Sequence, residues 1–358
     1  MNYKESLLFT AKCLTINTDE HNLLIVTRKL TNFPNEINWD NIVKISSKHY
    51  VLPALYCNLK QAELLHLIPS ELNDYIQEIT FLNRERNKQI IQQAKEINQL
   101  LLSNNITPIF IKGTGNLLER LYNDIGERMV GDIDFIVSKK EFYKSVHLLK
   151  QENYEKTINR LFYSPITKHY PRLKNKNKLA AVEVHCEFTI NQYKKEFNYE
   201  FIKNEIQTVD NISILSDKHQ LCLSIIAAQI NDNGIYFKNI PLRNAYDVLL
   251  LSKKVNSLHS IKQFKKLFHP LNNFLALAKF IFRSSSITFK KTGKSKKSVT
   301  KYKNLIEKSS EYLAKRNKRV NREIRYNHWF KLIKKALSEK EYTIWLLKRI
   351  WFGKPKDI

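Results

Sequence analysis

Glycine is scarce in this chain, with 7 in 358 residues, beside 9 prolines, 4 cysteines and 2 methionines. So few glycines exclude glycine-rich repeats and collagen-like periodicity, and each one that occurs marks a place worth reading. The cysteines, Cys13, Cys57, Cys186 and Cys222, stand far apart. No pair has the short spacing of a zinc site or redox motif, so free thiols in a reducing compartment follow. No stretch approaches the roughly 18 apolar residues of a membrane span. The first sixteen residues carry an early Glu5 and no long apolar core, unlike a signal peptide. These absences together predict a cytoplasmic protein. Negative charge is also short, at 34 Asp/Glu against 60 Lys/Arg, for a formal net of +26. The deficit is local: residues 283–358 hold 23 Lys/Arg and 6 Asp/Glu, which is +17 of that +26. An anionic partner for the C-terminal region follows, whether nucleic acid, a membrane surface or phosphates.

What is present reads as α+β, a small mixed sheet of four or five strands between helical regions. Apolar residues recur at helical steps through the first hundred positions, as at Ile42, Ile45, Ile90, Ile91, Ile97 and Leu101. The spacing predicts a long helix over about 70–104, with Arg84, Arg86 and Lys88 facing water. Thr107 to Gly113 reads as a buried strand and Asn116 to Tyr122 as a helix. Met129 to Val137 alternates as a second strand. Ser138 and Glu141 form a capping-box pattern for a helix running to about Gln151. The polar run Leu173 to Leu179 predicts a turn joining strands near 161–172 and 179–190. Ser216 opens a helix through Leu221, Ile225 and Ile230, and another carries Leu242, Tyr246 and Leu249. Residues 284–304, rich in Ser and Lys, read as an exposed loop. The expected organisation is a helical region over 1–104, a core over 105–205, a helical region over 206–282 and a basic helical region over 283–358.

The sharpest chemistry lies in Gly131-Asp132-Ile133-Asp134-Phe135. On a strand, residues two apart share a face, so Asp132 and Asp134 project together. Adjacent carboxylates repel unless a cation joins them, and hard oxygen ligands suit magnesium or manganese. Upstream, Lys112-Gly113-Thr114 ends a strand and opens a helix, where backbone N–H groups attract phosphate. The P-loop pattern and the third glycine of the dinucleotide fingerprint are both missing. In Ala181 to Phe188, alternation sets Glu183, His185 and Glu187 on one face. A third carboxylate beside the aspartate pair would complete a two-metal site for in-line phosphoryl chemistry. For His185, a hydrogen-bonding role ranks ahead of metal ligation.

Ordered along the chain, Lys112-Gly113, Arg128, Gly131-Asp132-Ile133-Asp134, Glu183-Val184-His185 and Arg243 to Asp247 resemble the uncharacterised nucleotidyltransferases of the polymerase-beta-like superfamily. The resemblance covers roughly residues 5–255. It implies transfer of an NMP from an NTP, ATP first among them, to a hydroxyl acceptor with release of pyrophosphate. In this scheme Asp132, Asp134 and Glu183 are catalytic and hold Mg²⁺ or Mn²⁺. Lys112, Gly113, Thr114, Arg128 and Gly131 contact the nucleotide, and His185 and Asp247 are further candidates. Glu183 stands where Asp is frequent, and whether it also acts as base stays open. The acceptor stays open too: a small molecule, a protein or an RNA. A different class of function, a non-catalytic nucleic-acid-binding protein on the same scaffold, is motivated by the basic C-terminal region with Tyr326, Trp329, Phe330, Trp345 and Trp351. Those aromatics are expected to pack on the body of the protein, ahead of stacking on nucleic acid or lying on a membrane or partner helix.

Overall fold

The computed structural model describes residues 1–158, 167–189 and 191–352. The chain opens with α1 (Tyr3–Cys13), α2 (Glu20–Asn32), α3 (Trp39–Lys48) and α4 (Leu52–Gln61), followed by the 33-residue α5 (Ser70–Leu102). The long helix runs close to its predicted bounds and measures about 50 Å at 1.5 Å per residue. Its first half closes an N-terminal apolar cluster that includes Val26, Leu30, Ile42, Leu55 and Ile76. Its second half sends Ile90, Ala94, Ile97 and Leu101 into the main core.

The middle of the chain builds the sheet. It runs β1 (Ile109–Phe110), α6 (Lys112–Leu118), β2 (Asp132–Ile136), α7 (Phe142–Gln151), β3 (Glu155–Lys156), β4 (Leu173–Lys174) and β5 (Ala181–His185). Then come α8 (Tyr199–Ile202), β6 (Ile206–Val209) and β7 (Ile212–Leu215). Among the described residues the sheet has seven strands, in the order β3-β4-β5-β2-β1-β7-β6, more than the four or five expected. The difference lies in short strands, because β1, β3 and β4 span two residues each and give no periodicity to read. The sheet also continues past residue 205 to Leu215. The antiparallel pair is there, with Leu173 opposite Val182, but its first strand, β4, falls within the run expected as a turn, and residues 167–172 add only an isolated bridge at His169. Of the strand expected near 161–172, residues 161–166 lie outside the described residues.

β2 lies at the centre, parallel to β5 and antiparallel to β1. Ile133, Phe135, Val182 and Val184 are fully buried on its core side, and the Phe110 and Phe135 rings meet at 5.8 Å. Burying such side chains contributes roughly 1.5–3 kcal/mol each, which fixes the register and with it the carboxylate face. Ser138 and Glu141 do form their reciprocal hydrogen bonds, Ser138 Oγ donating to Glu141 Oε2 at 2.6 Å.

The second helical half comprises α9 (Asp217–Ile226) continued by a π turn (Ala227–Asn231), then α10 (Gly234–Phe237), α11 (Leu242–Lys254), α12 (Ser257–Ile261) and α13 (Phe268–Phe282). The expected loop over 284–304 is corrected: Gly293–Ile306 is helical (α14), capped by Thr292, whose hydroxyl accepts from Ser295 N at 3.1 Å. Its Ser and Lys residues form a wet face, while Tyr302 and Ile306 are buried.

The chain then forms a hairpin of α15 (Ser310–Ala336) and α16 (Lys340–Trp351). The aromatics there do not pack on the body as expected. Tyr326 is 74% exposed, Phe330 72% and Trp351 85%. The two helices pack on each other and α15 reaches the body at α10, where Arg316 donates to Phe237 O at 3.1 Å. Because the hairpin buries few body residues, a chain ending at residue 309 is expected to melt cooperatively within about 5 °C of the full chain, a shift on the order of 1–2 kcal/mol. Aggregation of the truncated chain at low salt would show instead that the hairpin covers the body. No described helix is long and apolar enough to cross a membrane.

Candidate active site

The parallel pairing of β2 and β5 sets Asp134 opposite Glu183 and Asp132 opposite Ala181. Asp134, Glu183 and His185 are brought together, with one donor atom from each within 4.8 Å of the others. His185 Nε2 lies 2.9 Å from Asp134 Oδ1 and 3.4 Å from Glu183 Oε2. The imidazole is buried and stands in the carboxylate cluster as a hydrogen-bonding partner of Asp134, the role ranked first for it from sequence. Asp132 sits at the rim, paired with Arg172, a residue no motif singled out. The Arg172 Nε lies 3.7 Å from Glu183 Oε1, so one guanidinium serves two carboxylates.

Lys112 answers the third charge. Its Nζ lies 2.6 Å from Asp134 Oδ1, 3.6 Å from Glu183 Oε2 and 3.4 Å from His185 Nε2. The side chain arrives there because Lys112 adopts a left-handed backbone, φ 55°. That conformation costs about 1 kcal/mol or more for a residue with a Cβ. It is held by Gln220, whose amide donates to Lys112 O, and by Ile111 N donating to Asp134 O at 3.0 Å. The turn also starts α6 four residues earlier than expected. A Cβ at Gly115 would lie 2.9 Å from Phe110 O, so only glycine lets α6 pack this close to β1.

The electrostatics follow from this crowding. Burial raises the Asp132 carboxyl despite Arg172, with the neighbouring Asp134 and Glu183 charges adding to the rise. Burial works in the same direction at Glu183, but the His185 hydrogen bond and the charges of His169 and Lys112 overcome it. The Glu183 carboxyl is held well below the usual range. Burial would lower the Lys112 ammonium, yet Asp134 and Glu183 hold it above its ordinary value.

The remaining candidates divide. Gly113 and Gly131 line a cleft of about 330 Å³ that opens beside the carboxylates. Thr114 does not reach it. Its hydroxyl is buried, donating to Asp132 O at 3.0 Å and accepting from Asp134 N at 3.4 Å, so it pins β2 rather than a phosphate. Glu187 leaves the face with its strand, which ends at His185, and pairs with Lys139 and Lys194 at 3.0 and 3.1 Å. Arg128 lines the cleft wall, but its guanidinium is committed to Asp247, Nη2 to Oδ2 at 2.9 Å and Nε to Oδ1 at 3.0 Å. Tyr122 also donates to Asp247 Oδ1 at 2.7 Å. From there Asn116 donates to Tyr122 at 2.9 Å, and Gln220 donates to both Asn116 and Lys112 O. A hydrogen-bonded chain therefore links Lys112 to Arg128 through three helices.

Arg84 and Arg86 are corrected from solvent-facing residues to contacts with the loop before β2. Arg84 pairs with Asp124 at 2.6 Å, and Arg86 donates to Val130 O and Gly131 O at 3.2 Å. Buried Asn83 and Asn87 donate to Arg128 O at 3.1 and 2.7 Å. Two amides on the apolar stripe of α5, four residues apart, were the available signal. Arg243, named from sequence only as the start of the Arg243 to Asp247 element, has a place at the cleft that no motif assigned to it. It lines the cleft with Nε unpartnered, stacks on Tyr50 with its Cζ 5.0 Å from the ring centroid, and lies one turn before Asp247 on α11.

Compared with known protein families, residues 35–283 match the family model described as uncharacterised nucleotidyltransferase. The chain belongs to that family. The match starts later and ends later than the span of 5–255 read from motifs, and it takes in every residue that lines the cleft, from Lys112 to Asp247. No match was found among curated proteins or solved structures.

Proposed function

We propose that this nucleotidyltransferase is metal-dependent and moves an NMP from an NTP to a hydroxyl acceptor, releasing pyrophosphate. One observation carries the reading: three carboxylates and an imidazole converge at the cleft, and the chain sets two of its own cations, Lys112 and Arg172, among them. The carboxylate oxygens suit Mg²⁺ or Mn²⁺, and the imidazole, hydrogen-bonded to Asp134, fits an orienting group better than a ligand for these ions. Asp132, Asp134 and Glu183 would hold the ion, with His185 orienting Asp134 and Glu183. Once bound, the ion supplies Lewis-acid activation of the acceptor oxygen and neutralises the leaving phosphates.

The chain's own residues do the rest. The acceptor oxygen attacks the α-phosphorus, the bond to the bridging oxygen of pyrophosphate breaks, and the hydroxyl proton passes to a carboxylate. Glu183, with its depressed carboxyl, fits a ligand better than a base, while Asp132 is tuned in the opposite direction. Lys112 and Arg243 contact the triphosphate with charge-assisted hydrogen bonds. Arg128 acts indirectly, holding the 128–131 turn through Asp247.

Arg243→Ala is expected to weaken binding of a non-hydrolysable ATP analogue by roughly 1–3 kcal/mol, the range for charge-assisted hydrogen bonds. Calorimetric titration with Mg²⁺ checks it, and unchanged affinity would move the phosphate site elsewhere. The activity itself is tested with each labelled NTP, Mg²⁺ or Mn²⁺ and a cell lysate, reading which fraction takes label. Label transfer that persists in Asp134→Asn would defeat the reading. The exposed basic hairpin favours an added anionic contact, and several phosphate contacts there would weaken binding on the order of 10²-fold or more between 50 and 200 mM salt.

A further inference from the structure

Beside the catalytic cleft lies a second cavity of about 320 Å³, between the sheet end of the body and α15. The two are neighbours: Lys168 and Asn231 line both. Lys168 is fixed at this junction because its carbonyl accepts from Cys186 N and Glu187 N at 3.0 and 3.1 Å, just past the end of β5. The far wall is α15, through Asn327, His328 and Lys331. That wall is anchored to α10, the element that contributes Tyr236, by Arg316 donating to Tyr236 O and Phe237 O at 3.3 and 3.1 Å.

The lining is chemically specific. Lys168 and Lys331 bring ammonium groups, His328 brings an imidazole that burial and the charges of Arg349 and Lys331 push toward the neutral form, and among the described residues no aspartate or glutamate lines this cavity. Gln192, Asn231, Asn233 and Asn327 bring amides that both donate and accept, the pattern that reads hydroxyl groups. Tyr193 and Tyr236 add ring faces. A cationic aminosugar would meet the like charges of Lys168 and Lys331, with the nearest opposing charge, Asp232, on the wall of the adjoining cleft, whereas a phosphate finds partners in the cavity itself. The volume falls at the low end of the roughly 300–1,000 Å³ of small-ligand pockets, enough for one sugar-phosphate unit.

We propose that this cavity is the acceptor site, and that the acceptor is a phosphorylated sugar presenting a hydroxyl toward the carboxylates. The inference rests on the nucleotidyl-transfer reading and adds the class of acceptor to it. The acceptor phosphate lies on Lys331 and His328, its hydroxyls on the amides, and the reacting oxygen beside Lys168. That oxygen attacks the α-phosphorus of the NTP, the bond to pyrophosphate breaks, and the proton leaves through the carboxylate cluster. α15 is thereby part of the site, and the basic C-terminal region has a local task as well as a bulk charge.

Equilibrium dialysis of the full chain tests this, with ribose 5-phosphate, ribose, glucosamine and a short single-stranded oligoribonucleotide as probes. Ribose 5-phosphate should bind with or without saturating Mg²⁺ and a non-hydrolysable ATP analogue, and tenfold or more weaker in Lys331→Glu. Ribose and glucosamine should bind at least tenfold more weakly than ribose 5-phosphate. If only the oligoribonucleotide binds in a Lys331-dependent way, the sugar phosphate is supplied by an RNA end; if free ribose 5-phosphate binds, by a small molecule. Either supports the site. It is overturned if neither phosphate probe depends on Lys331, if the ATP analogue displaces them completely, or if glucosamine binds equally well. Asp134→Asn separates the two readings: it should abolish Mg²⁺-ATP binding or turnover and leave ribose 5-phosphate binding within twofold. Loss of probe binding with intact Mg²⁺-dependent ATP turnover sinks the acceptor site alone.

Discussion

Asp134→Asn is expected to lower nucleotidyl transfer by about 10³-fold or more, equivalent to roughly 4 kcal/mol of transition-state stabilisation. The size follows from position. Of the carboxylates, Asp134 makes the shortest contacts to both Lys112, at 2.6 Å, and His185, at 2.9 Å, and its register partner is Glu183. Asparagine keeps the volume and one acceptor oxygen but removes the charge that gathers the cluster. The fold should hold. Lys112 retains Glu183 at 3.6 Å, and deleting one of three crowded carboxylates relieves their mutual repulsion, the same repulsion that helps to raise Asp132. The expected pattern is therefore lost turnover with a urea midpoint equal to or above that of the unaltered chain. A turnover assay and urea melts on the same preparations check both halves. Activity within a few-fold of the unaltered chain would remove Asp134 from the mechanism; a large fall in midpoint would make it a structural counter-ion of Lys112 instead.

How much of this was legible in the residues differs by element. α5, β2, β5, α9 and α11 were readable because each repeats its period over enough residues, and the Asp132–Asp134 pair followed from strand alternation alone. The strand β1 was readable as a buried run but not as two residues. Lys112 was legible as the end of a strand and the start of a helix, but not its left-handed backbone or its place among the carboxylates, since lysine has no preference for that conformation and its neighbours give no sign of Gln220 beneath it. Arg172 was invisible for a related reason. It stands just before β4 and reaches past β5 to Asp132 on β2, forty residues back in the chain, and periodicity carries no information about such reach. Thr114 was read as a phosphate contact from its place after Gly113, whereas tertiary packing turned its hydroxyl toward β2. α14 was masked by its Ser and Lys content, which describes only the exposed face. The α15–α16 aromatics misled in the opposite direction: aromatic side chains usually signal burial, yet here a basic hairpin leaves most of them uncovered.

The same cleft holds a residue whose loss should do the reverse of Asp134→Asn. Asp247 is 1% exposed and, among the described residues, is the one acid that pairs with Arg128, itself 7% exposed. Arg128 cannot shed its proton to escape burial, and the charges of Asp247 hold its guanidinium above its ordinary value against the desolvation that would lower it. Asp247→Ala therefore strands a buried charge, and the expected penalty is about 3–5 kcal/mol of folding stability. Tyr122 loses its acceptor at the same time, so the chain of hydrogen bonds through Asn116 and Gln220 is cut at its Arg128 end. The 128–131 turn, which also carries Gly131 and leads into Asp132, should loosen, with weaker nucleotide binding as a consequence rather than a cause. Urea unfolding followed by both fluorescence and circular dichroism measures the penalty under a two-state check. The paired substitution Arg128→Met with Asp247→Leu discriminates further. Replacing both charges with apolar groups of similar volume should recover most of the lost stability, because a buried ion pair is worth little against good packing but costs much when halved. If Asp247→Ala instead unfolds at the midpoint of the unaltered chain and loses only turnover, Asp247 belongs to the chemistry of the cleft, and the Arg128 pair is a consequence of that role.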